Sequence, residues 1–86
     1  MLLSTALIAP LDGRADADPD WLQGLLWDRR SASTRVEHIR VQRGPDYLRI
    51  AAFTVSADQS DSDDALRSLI NATISATPEL HRWRLL

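Results

Sequence analysis

The sequence contains no cysteine and no lysine. Without cysteine neither a disulfide staple nor a thiolate metal site can form, so the fold must rest on packing, helped or not by self-association. Without lysine there is no Schiff-base amine and no Walker-type phosphate lysine. All ten basic residues are arginine, and with 12 carboxylates they leave a net charge of −2. That balance speaks against binding driven by phosphate neutralisation. No apolar run approaches the ~20 residues of a membrane span. The opening MLLSTALIAP has no positive charge ahead of its apolar stretch, and Ser4 and Thr5 interrupt it. It reads as a strand rather than a signal peptide, and a cytoplasmic chain without membrane attachment is expected.

What is present suffices for one domain spanning 1–86. With 44% apolar and 26% charged residues the chain can bury a core, although a length of 86 is near the lower end for folding unaided. Leu2 to Ala9 carries apolar groups on both alternating faces, as a strand covered on both sides does, and Pro10 is expected to stop it. Residues 10–18 form a loop with turn chemistry at Asp12-Gly13. In DPDWLQGLLWDRR, Asp18 is placed to cap a helix and Pro19 suits its first position. Leu22, Leu25 and Leu26 share one face of that helix, and Arg29 and Arg30 complement its C-terminal dipole. Trp27 lies on the opposite side, beside Asp20, Gln23 and Gly24. It is either an outward contact residue or packed under the loops at 10–18 and 31–34.

RVEHIRVQR, residues 35–43, alternates as a strand, with Val36 out of phase, which suggests a bulge or a late strand start. Gly44-Pro45-Asp46 turns the chain into YLRIAAFTV, residues 47–55, and the pair reads as a hairpin. DQSDSDD, residues 58–64, packs four aspartates into seven positions. An EF-hand loop counted from Asp58 would need glycine at Asp63 and glutamate at Leu69, so the run is read as a helix start, with Asp61 or Ser62 as the cap. Leu66, Leu69, Ile70, Thr73 and Ile74 follow at helical spacing. Thr77-Pro78-Glu79 closes that helix, and HRWRLL, residues 81–86, alternates as a last strand.

The order strand, helix, strand, strand, helix, strand is the split-βαβ, ferredoxin-like arrangement of the α+β class: a four-stranded antiparallel sheet with two helices on one face. Strands one and three would be central. The other face would be bare, and either phase of strand three puts apolar groups there: Leu48, Ile50 and Ala52, or Ala51, Phe53 and Val55. Leaving several such groups wet would forgo a few kcal/mol at ~25 cal/mol per Å². A covering is therefore expected, a homodimer first, a protein partner or small ligand otherwise; the alternative is a monomer whose bare face is mostly Ala and Thr. Interface candidates are Trp27, Phe53, Val55 and Trp83.

The inventory for chemistry is thin. His38, Arg40, Tyr47 and Arg49 are the ligand candidates. No HxH or HExxH spacing, nucleophile elbow, P-loop or dinucleotide fingerprint occurs, so no metal, cofactor or catalytic residue is assigned. RNA-recognition modules share the strand order but carry paired outward aromatics, where this chain offers Phe53 alone, so nucleic acid is not expected as a partner. DPDWLQGLL followed by RVEHIRVQRG resembles the first helix and second strand of ACT-type domains, regulatory modules that dimerise and bind amino acids. Those modules carry Pro-Gly where this chain has Pro19-Asp20. In length and order the chain is also similar to dimeric α+β-barrel proteins, some of them cofactor-free enzymes. The missing catalytic constellation and the face that needs covering point to a self-associating, non-enzymatic regulatory or accessory domain that binds a protein or small ligand. The rival is a small dimeric enzyme with a pocket between sheet and helices, using His38, Tyr47 or an arginine.

Overall fold

Asp18 and Asp58 each open a helix. In the computed structural model, which describes residues 1–11, 17–30 and 36–86, the Asp18 carboxylate accepts the Asp20 N–H at 3.0 Å and Pro19 is the first residue of α1, Pro19–Arg29. The Asp58 carboxylate accepts the Asp61 N–H at 2.9 Å and begins α2, Gln59–Ala76. Both use a short side-chain oxygen to satisfy a backbone donor that has no partner inside the helix. The cap of α2 thus lies at Asp58, not at Asp61 or Ser62 as expected. Capping three residues earlier places Ser62 inside the helix, facing the sheet.

The strands are β1 Leu2–Pro10, β2 Val36–Arg43, β3 Leu48–Thr54 and β4 Trp83–Leu85, joined in one antiparallel sheet of order β2-β3-β1-β4. This is the ferredoxin-like arrangement, with β1 and β3 central and β2 and β4 at the edges. The register shift between Val36 and His38 is the bulge that the misphased Val36 announced. It lets Val36 keep its side chain in the core while His38 and Arg40 face out. The Asp12-Gly13 turn and the loop at 31–34 lie outside the described residues.

Several boundaries differ from the expected ones, and β3, Leu48–Thr54, is one residue shorter at each end than 47–55. Pro10 belongs to β1, pairing with Trp83 beyond the point where β3 leaves the strand, so a residue with no N–H is tolerated there. β4 begins at Trp83 rather than His81. The Leu80 and His81 amides are used by a 3-10 turn over Pro78–Leu80, donating to the Thr77 and Pro78 carbonyls at 2.9 and 3.2 Å.

One face of the sheet carries Ile8, Val36, Ile39, Val41, Leu48, Ile50, Ala52 and Trp83, all buried. α1 lies over β2 with Leu22 and Leu26, and α2 over β1 with Leu66, Leu69 and Ile70. Leu80 of the 3-10 turn completes this core. No helix among the described residues is long and apolar enough to cross a membrane.

Candidate interaction face and edge groove

Alternation along the strands decides which apolar set is left wet. Leu48, Ile50, Ala52 and Thr54 are buried under the helices, so Phe53 emerges on the other face, 40% exposed, and Val55, one residue past the end of β3 and in the same phase, is 44% exposed. Leu3, 47% exposed, is the direct cross-strand neighbour of Phe53, which also pairs with His38. These side chains form an apolar corner on the face that neither helix covers. The next rows are polar and basic. Arg40 and Thr5 flank Ala51, and Gln42 and Leu7 flank Arg49. Arg84 stands beside Ala9, its guanidinium held by the carbonyls of His81 and Trp83 at 2.8 and 2.7 Å. Arg40, Arg49 and Arg84 thus cross the open face as a diagonal of positive charge. Among the described paired positions no carboxylate shares it; Glu37, the extra residue of the bulge, stands at its margin.

The edge strand β2 adds a second feature. The amide side chain of Gln23, on α1, reaches the sheet edge, and its Oε1 accepts the Val41 N–H at 3.0 Å. Asp20, Gln23, Gly24 and Trp27, spaced as one helical face, line a groove of about 450 Å³ whose opposite wall is His38 and Ile39. A second concavity of about 330 Å³ shares Gln23, His38 and Ile39 and runs round the edge to Arg40, Ala51, Phe53 and Leu3. Among the described residues, no atom from outside the helix's own backbone stands within 4 Å of where a Gly24 side chain would begin, so the groove is open at that point. Trp27 closes one end, 40% exposed, with the Arg30 guanidinium 3.8 Å above its ring.

The residues singled out in the sequence separate accordingly. His38, Arg40 and Phe53 meet in one concavity, and His38 and Trp27 in the other. Arg49 and Val55 lie on the same open face. Tyr47 does not join them: its ring covers Gly44 in the hairpin turn, closed by the Gly44 N–H donating to the Tyr47 carbonyl at 2.8 Å. Trp83 was an interface candidate, but it is 5% exposed and part of the core, because its alternation puts it on the helix side of β4. Sequence reasoning missed Leu3, Gln23 and Gly24. The signal was there for two of them, since both share the helical face of Trp27.

Behind the open face lies a chain of hydroxyls. Ser4 donates to the Asp63 carboxylate at 2.6 Å, and Ser4 and Ser62 are 2.5 Å apart. Thr54 donates to Ser62 at 2.7 Å and lies 2.8 Å from Ser56. A carboxylate only accepts, so the proton order runs one way, from Ser56 to Thr54, Ser62, Ser4 and Asp63. The Gln59 amide also donates to Asp63, at 3.0 Å. The Ser4 hydroxyl first, then the Gln59 amide, hold the Asp63 carboxyl below the usual aspartate value; desolvation opposes them, and the charge of Arg67 adds the smallest lowering. The network ties β1 and β3 to α2, and each buried hydroxyl in it has a partner.

No family model, curated protein or solved structure matches the chain.

Proposed function

We propose that this chain is a non-enzymatic accessory domain that self-associates through the open face of its sheet. The observation that carries the reading is the corner of Leu3, Phe53 and Val55, three large apolar side chains each 40–47% exposed on the face opposite both helices. Grouped apolar exposure of this kind costs a small domain stability that a partner surface restores. Two copies related by a two-fold axis through the corner and running across the strands bring these side chains together. Arg40 and Arg49 lie in the rows below the corner, so an axis in that direction carries them apart. A second chain is thereby accommodated without opposing like charges. A catalytic reading has less support, since the space between sheet and helices is filled by Ile8, Leu22, Leu26, Ile50 and Ile70.

Light scattering coupled to size-exclusion chromatography, over a wide range of concentration, tests this. The parent chain is expected to pass from monomer to dimer as concentration rises, and Val55→Asp to remain monomeric with an unchanged circular dichroism spectrum. A parent that stays monomeric throughout, or a Val55→Asp variant that dimerises equally well, removes the reading.

A further inference from the structure

We infer that the outer edge of β2, unpaired with another strand among the described residues, receives an additional strand from a partner protein: an extended segment in which carboxylates alternate with apolar side chains. This goes beyond self-association at the apolar corner and uses different residues. The Val41 N–H points away from β3, because it is bonded to Gln23 on the outer side. Outward and inward backbone groups alternate along an antiparallel strand, so the N–H and C=O of Ile39 point outward too. These groups, with the Val41 carbonyl, form a short template for a fifth strand. Gln23 occupies only one donor. An arriving carbonyl can take over the Val41 N–H in exchange for one bond of the same kind, while the freed amide turns to solvent.

The groove outside β2 has room for this strand. A chain lying about 4.8 Å from β2 would pass between that edge and the helical face of Asp20, Gln23, Gly24 and Trp27. Its alternate side chains would then point to two different environments. Those turned toward α1 meet the open space at Gly24 and the ring of Trp27, which suits apolar groups. Those turned toward the open face meet His38 and Arg40, in the concavity that continues to Phe53. Arg40 has no carboxylate partner among the described residues. A carboxylate on the incoming strand pairs with it across the edge.

Charge also disfavours one way of adding a second β2: with Ile39 opposite Val41, Arg40 would face Arg40. Like charges directly opposite destabilise a strand pair, and an acidic segment replaces that repulsion with attraction.

The test is a capped synthetic peptide of alternating glutamate and valine, titrated into the full chain and followed by calorimetry and by amide exchange. Binding is expected that weakens with salt and slows exchange of the Ile39 and Val41 amides. A peptide with lysine for glutamate, the Arg40→Glu variant, and Gly24→Leu, which fills the groove, should each bind at least about tenfold more weakly, a change of about 1.4 kcal/mol. Val55→Asp should bind the peptide as the parent does, so that failure of self-association and failure of this inference remain separate results. Undiminished binding to Gly24→Leu, unprotected Ile39 and Val41 amides, or no binding by the parent would each overturn it.

Discussion

The hydroxyls of Ser4 and Ser62 stand 2.5 Å apart in the core although 58 positions separate them in sequence. Ser4 is 1% exposed and Ser62 is fully buried, so neither can turn to water if its partner is removed. They join β1 to the first turns of α2, and through Thr54 they hold the end of β3 as well.

Ser62→Ala should therefore destabilise the fold by about 1–3 kcal/mol, because the Thr54 hydroxyl loses its acceptor and Ser4 loses a donor. In Ser4→Ala/Ser62→Ala most of that mismatch disappears on the β1 side. The double variant should cost less than the sum of the single ones, by about 1 kcal/mol, as urea unfolding of all four proteins would measure. Strict additivity would mean the two hydroxyls act independently.

Asp63 makes part of this stability pH-dependent. Its carboxyl is lowered in the folded state by Ser4, Gln59 and Arg67, so the folded chain binds that proton less readily than the unfolded chain. The contribution is fully present above the unfolded-state value and is lost as pH falls through the folded one. Asp63→Asn should lower stability at neutral pH and make the acid-side decline shallower. Parallel thermal melts of parent and variant from neutral to acid pH decide it; equal slopes would show that Asp63 contributes nothing to acid sensitivity.

Gly24 sits inside α1 with open space where a methyl group would lie. Gly24→Ala should stabilise the domain by about 0.5–1 kcal/mol, by restricting the unfolded chain and favouring the helix. A rise in the urea midpoint with an unchanged slope would report this.

Gly44 is the opposite case. A methyl group there would run into the Tyr47 ring, including Cδ1 at 2.8 Å. Gly44→Ala should cost about 1 kcal/mol by forcing the ring aside. Adding Tyr47→Ala should relieve the collision, so that the second substitution is less harmful in the Gly44→Ala background than in the parent. If the two substitutions simply add, the ring moves freely and the turn does not depend on the contact.

Much of the architecture was legible because local chemistry and global fold agree. Asp18-Pro19 ahead of apolar residues at helical spacing favours a helix start, and the misphased Val36 pointed to a bulge or a late strand start, of which the structure has the bulge. The aspartate run was harder to read. Six residues there are of the capping type, and the choice of Asp58 depends on Ser62 being required inside the helix, facing Ser4 and Thr54. That requirement comes from strands distant in sequence.

The division between what the chain encodes locally and what folding adds runs through the candidate site. Composition, turn chemistry and periodicity determined the element order, the ferredoxin-like sheet and the presence of a face that neither helix covers. They could not choose between the two apolar sets of β3, since Leu48, Ile50 and Ala52 are as apolar as Ala51, Phe53 and Val55. Tertiary packing made that choice by laying Leu22, Leu26, Leu66 and Ile70 on the first set, where the large side chains interlock. The same packing took Trp83 into the core and left Leu3 beside Phe53. It also carried Gln23 from a helix to the edge of β2. Periodicity records which residues share a side of one element; only the meeting of elements decides which side faces water.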